Sequence, residues 1–112
     1  MGIYRASIIE HPLDETLESA ERRILAALRP MYDTQRQTTL SAVEGALAAP
    51  HHTNWIALAS ELHTLAGTAA HFGETDLGDS ARTAENTIRF DEPRNQQLIA
   101  LRNVRQAIAL AS

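Results

Sequence analysis

Leu58, Leu62, Leu65, Ala69 and Phe72 recur at intervals of four, three, four and three residues. That spacing gathers all five on one face of an α-helix and on neither face of a strand. The segment must therefore bury a stripe against other helices. The rest of the chain repeats the pattern: Thr39 or Leu40, Val43, Ala46 and Leu47; then Leu77, Ala81, Ala84 and Ile88; then Leu98, Leu101, Val104 and Ile108, with Ala109 or Leu110 as further inward candidates. Breaks fall at Pro50, at His51–Asn54, at Gly73 and at Phe90–Arg94, all turn-forming stretches. Thr53 or Asn54 can cap a helix that begins at Trp55, and Thr75 one that runs to Arg89. Upstream, Pro12 suits a first helical turn, and Leu13, Leu17, Ala20, Ile24, Ala27 and Leu28 follow at helical spacing. Pro30 should kink or break this run, so that a separate helix covers Met31 to Ala48. No alternating strand pattern competes. The expectation is an all-α, antiparallel four-helix bundle with an additional N-terminal helix, residues 1–112 forming one domain.

Composition narrows the function. The net charge is −4, which argues against nucleic-acid or anionic-membrane binding. All ten basic residues are arginine, which removes Schiff-base and P-loop lysine chemistry. Cysteine is absent, which removes disulfides and thiolates. No apolar run approaches the ~20 residues of a membrane span, and residues 1–10 lack a signal-peptide core. A cytoplasmic location is expected.

The segment from His63 to Gly73 carries the chemistry. Gly67 stands one turn after His63. Glycine inside a helix costs roughly 0.5–1 kcal/mol relative to alanine. A side chain at 67 would lean back over the flank of His63, so its absence leaves the imidazole uncovered. Around the histidine lie Ile56, Ala59, Ser60, Ala66, Gly67 and Ala70, mostly small residues that permit close approach of a partner, with Gly73 as a further docking candidate. A histidine at a helix boundary in an alanine-rich chain is the plainer reading of the same residues.

The segment Leu62-His63-Thr64-Leu65-Ala66-Gly67, with Gly73 six residues beyond Gly67, resembles the signature of histidine-containing phosphotransfer (HPt) domains: a helical His-x-Leu-Lys-Gly followed by a second glycine. Leu77, Ala81 and Ala84-Glu85 resemble the family's next helix, so the likeness covers nearly the whole chain. The resemblance implies that His63 accepts a phosphoryl group, through Nε2, from an aspartate of a response-regulator receiver domain and passes it to another receiver. A hybrid histidine kinase would supply the relay. It implies no cofactor of the protein's own, with Mg²⁺ supplied by the receiver, and no autokinase activity. A monomer is expected. Neutral imidazole suits this role, because its reference pKa is ~6.5.

Ala66 departs from the pattern, standing where the family usually carries a lysine. Arg82 or Arg89 on the following helix could supply the missing charge, although a solvated surface arginine is the plainer reading of each. The departure supports an alternative function, a phosphorylation-incompetent helical adaptor that binds receiver or kinase domains. His11, His51, His52 and His71 form no HxxxH or HExxH pair, so no metal site is expected. Asp76, Asp79, Asp91 and Glu92 read as capping or solvated charge. Trp55 reads as a core or staple residue.

Overall fold

A computed structural model describes the backbone of residues 2–111 and the side chains of residues 17–111. Four α-helices occur among the described residues: α1 (Gly2–Ala48), α2 (Trp55–His71), α3 (Thr75–Arg89) and α4 (Arg94–Ala111), with a short 3-10 turn at Pro50–His52. No described residue is in a strand, and no helix among them is long and apolar enough to cross a membrane.

The break expected at Pro30 does not appear, and neither does a separate N-terminal helix: α1 continues through Pro30. Proline removes one hydrogen bond from a helix interior, a penalty of about 3 kcal/mol. The alanines, leucines and arginines flanking Pro30 are strong helix formers that keep the surrounding turns intact. The chain does divide near this point into two compact units, Met1–Pro30 and Met31–Ser112. In the first unit Leu17, Ile24 and Leu28 are exposed; Leu13 lies outside the described side chains.

The second unit holds the core. Val43, Leu62, Leu65, Ala69, Leu77, Ala81, Leu101, Val104 and Ile108 are buried together, as their spacing requires. Thr39 is the buried member of the Thr39/Leu40 pair, and Leu110 points outward. The helices run antiparallel. The start of α3 lies against the end of α2 through Gly78, while His63 in mid-α2 meets Glu85 farther along α3. Arg36 on α1 donates to the Ala111 carbonyl at the far end of α4 (3.1 Å) and to Asp33 (2.7 Å). Tyr32 stacks on Phe72, with ring centroids 4.5 Å apart, and its hydroxyl bonds Glu74.

The helix ends follow local chemistry. Asn54, not Thr53, caps α2, its side chain accepting from the Ala57 N–H at 3.1 Å. At the other end Gly73 has φ 75°. Its N–H donates to the Ala70 carbonyl and that of Glu74 to the Ala69 carbonyl, the paired bonds of a Schellman cap. The N-cap of α3 is Glu74 rather than Thr75, and no side chain caps it.

Candidate functional site

His63 follows fully buried Leu62 on α2, so a rotation of about 100° brings it from the core to the surface. Its side chain is 72% exposed. One turn on, a Cβ built at Gly67 would meet nothing within 4 Å. The surface there is open, and the built Cβ does not come within 4 Å of the imidazole either.

The α3 side of the ring is not open. Glu85 places both carboxylate oxygens near His63 Nδ1, at 3.1 and 3.2 Å, and its own side chain is only 10% exposed. Arg89, one turn farther along α3, donates from Nε to the same Oε2 at 2.7 Å. Burial pushes the Glu85 carboxyl up, but the hydrogen bonds from Arg89 and His63 and the attraction of their charges outweigh it. The group is held below its ordinary value and is a carboxylate at neutral pH. An ionised carboxylate can only accept, so Nδ1 of His63 carries the proton that lies between them. In the neutral ring the lone pair is then on Nε2. The geometry thus assigns one nitrogen as donor and leaves the other with the free lone pair.

On the α1 side lies an open groove lined by Met31, Thr34, Thr38, Ser60, Glu61 and Thr64 among others, with no basic residue along it. The α3 side of His63 thus carries the Glu85–Arg89 pair, whereas the groove toward α1 holds hydroxyls and one carboxylate, that of Glu61.

The small-residue surface anticipated around His63 is only partly present. Ser60, Gly67 and Ala70 are exposed. Ala59 and Ala66 are buried, at 1% and 3% exposure, and belong to the core rather than to a docking face. The cause at Ala66 is the close approach of α3: a Cβ at Gly78 would lie 3.3 Å from the Ala66 carbonyl oxygen. Gly73 is likewise no part of that face, because it terminates α2. Of the two candidate arginines, Arg82 leans back toward Asp79 (3.8 Å), both being exposed. Arg89 alone joins the Glu85–His63 pair. His51 and His52 lie in the 3-10 turn and His71 ends α2, apart from His63. No group of metal-ligating residues forms among the described residues.

Two residues of the site, Glu85 and Gly78, escaped the pattern reading. A signal for Glu85 was present: it falls one turn after Ala81, inside the inward stripe formed by Leu77, Ala81 and Ala84. A charged residue on a buried stripe must find a partner, and His63 and Arg89 provide one.

A family model described as the Hpt domain matches residues 13–111. No curated protein and no solved structure matches the chain. The match covers most of the sequence and agrees with the helical bundle and its exposed histidine, so the chain belongs to the Hpt domain family, the histidine phosphotransfer domains of two-component phosphorelays.

Proposed function

We propose that His63 is the residue phosphorylated in this domain, taking the phosphoryl group from a receiver-domain aspartate and passing it to a second receiver. The observation that carries this reading is the Nδ1–Glu85 hydrogen bond on a ring that is 72% exposed. It leaves the Nε2 lone pair as nucleophile where a partner can reach it. Attack by Nε2 forms the N–P bond as the O–P bond of the phosphoaspartate breaks, and the aspartate leaves as a carboxylate. The ring keeps its Nδ1 proton and becomes a phosphoimidazolium, whose positive charge faces the Glu85 carboxylate. No external base is needed, and the return step runs the same path backwards. Mg²⁺ on the receiver would balance the charge of the transferring group. Ser60, Gly67 and Ala70 supply the low relief over which a receiver would dock beside His63. Because the ring, Glu85 and Arg89 come from one chain, the reading needs no second copy. A cytoplasmic relay headed by a hybrid histidine kinase is the setting it implies.

The test is incubation with a ³²P-labelled receiver, comparing wild type with His63→Gln. Acid-labile, alkali-stable label on the wild type alone supports the proposal. Absence of label across a broad receiver panel, with binding retained, would establish the adaptor reading in its place. Label acquired from ATP alone would contradict the reading, which includes no autokinase step.

A further inference from the structure

Glu61 stands on α2 at the seam with α1 and is half-buried. Its Oε2 is covered by the protein, and no hydrogen-bond donor among the described residues reaches it. A covered carboxylate oxygen without a donor has lost its hydration and gained nothing in exchange. Two other carboxylates at helix seams do find donors. Glu85 meets His63 and Arg89, and Glu74 meets the Tyr32 hydroxyl.

Two grooves meet at Glu61. One is the groove toward α1 described above, about 450 Å³ in volume. The other lies nearer the start of α2 and reaches His52 and Asn54. Among the described residues that line them, Glu61 is the only carboxylate and none is an arginine. The terminal torsion of a glutamate is soft, so either oxygen can be turned into the first groove without moving the helix.

The chemistry of that groove selects its occupant. An anion would be repelled. A divalent cation needs several oxygen ligands around it, and no group of three metal-ligating side chains forms among the described residues. A basic side chain needs one carboxylate, oxygen acceptors for its other N–H groups and apolar surface for its stem. Glu61, the hydroxyls of Thr38, Ser60 and Thr64, and Met31 at 68% exposure supply the three. Ser60 is also one turn before His63 on the exposed face of α2. A protein seated on His63 would cover a disc of about 16 Å radius, from about 800 Å² on each side. The groove lies within it, because a helix is only about 10–12 Å wide.

We propose that Glu61 is a specificity residue for the receiver: it accepts an arginine or lysine side chain that the docked receiver lays into the groove between α1 and α2. The proposal rests on the phosphocarrier reading of His63 and adds a requirement on the partner, a basic residue near its phosphorylated aspartate.

The test uses a ³²P-labelled receiver that labels the wild-type protein. Glu61→Gln should raise KM for that receiver about tenfold and leave kcat within about twofold. The wild-type KM should climb with ionic strength more steeply than that of Glu61→Gln. Glu61→Arg should raise KM further, and changing one basic residue near the receiver's aspartate to glutamate should recover the loss. Glu61→Gln should melt no lower than wild type, because no bond within the fold is lost. An unchanged KM in both variants overturns the proposal and leaves the phosphocarrier reading intact. A fall in kcat at constant KM, or a lower melting temperature, overturns it too, since Glu61 would then serve His63 or the fold. A wild-type protein that no receiver labels overturns the phosphocarrier reading and this proposal with it.

Discussion

Gly67 on α2 and Gly78 on α3 are both glycines inside helices, yet they sit in opposite surroundings. A Cβ at Gly67 would enter open space, while one at Gly78 would lie 3.3 Å from the Ala66 carbonyl oxygen and 3.7 Å from the Ala69 Cβ. The sequence context of each is similar, and helix propensity penalises each by about 1 kcal/mol. One vacancy faces open surface one turn along from His63. The other lets two backbones approach closely enough for Glu85, two turns farther along α3, to reach His63. A long side chain at the first position would extend toward His63, and one at the second would press α3 away from α2 and from the histidine that Glu85 orients.

Substitution at the two positions should therefore diverge. The largest expected effect is at Gly78. Gly78→Leu forces side-chain atoms against α2 backbone, an overpacking cost of about 1–3 kcal/mol, and should lower the melting temperature by about 10 °C. Unaltered melting would show that the helix seam yields and would dissolve the contrast. Next is Gly67→Leu, which has room to fold but extends over the His63 flank. Phosphotransfer from a labelled receiver should slow about tenfold or more, with no loss of thermal stability. A variant that transfers at the wild-type rate would sever Gly67 from access. Gly67→Ala should stabilise the fold by about 0.5–1 kcal/mol, visible as a rise of about 4 °C in melting temperature. The same change at Gly78 should yield less, because the Ala66 carbonyl must shift to admit it.

The smallest effect is a pH dependence at the Glu85 bridge. The folded-state pKa of Glu85 is depressed, so its contribution to stability is fully present above the unfolded value near 4.3 and is lost as pH falls through the folded value. Denaturation in the pH range 2–6 should show a decline that Glu85→Gln flattens. An identical slope in the two proteins would indicate that the bridge contributes nothing to the fold.

The core was legible because burial follows period. Leu58, Leu62, Leu65 and Ala69 occupy the buried face that their spacing demands, and Phe72 extends it to stack on Tyr32. The helix boundaries around Gly73 and Pro93 were legible for a similar reason, since turn chemistry is local. His63 could be singled out because its neighbour lacks a side chain. What escaped the sequence depends on the distance between α2 and α3. Ala59 and Ala66 look identical to exposed Ala70 in sequence, and only the approach of a second helix decides which are covered. Glu85 is 22 positions from His63 and reads as surface charge until α3 is set in register. Pro30 failed as a breaker because a local rule met a helix whose other turns remain bonded.

Trp55 has a use in all these measurements. It is the single tryptophan of the chain. Its indole N–H donates to the Pro50 carbonyl at 3.1 Å, and the Arg94 guanidinium lies 4.1 Å from its ring centroid. The beginnings of α2 and α4 are thereby latched across one chromophore, about two helical turns along α2 from His63. Its emission reports separation of those two helices without any label, at an end of the bundle where chemistry on His63 should leave the spectrum unmoved.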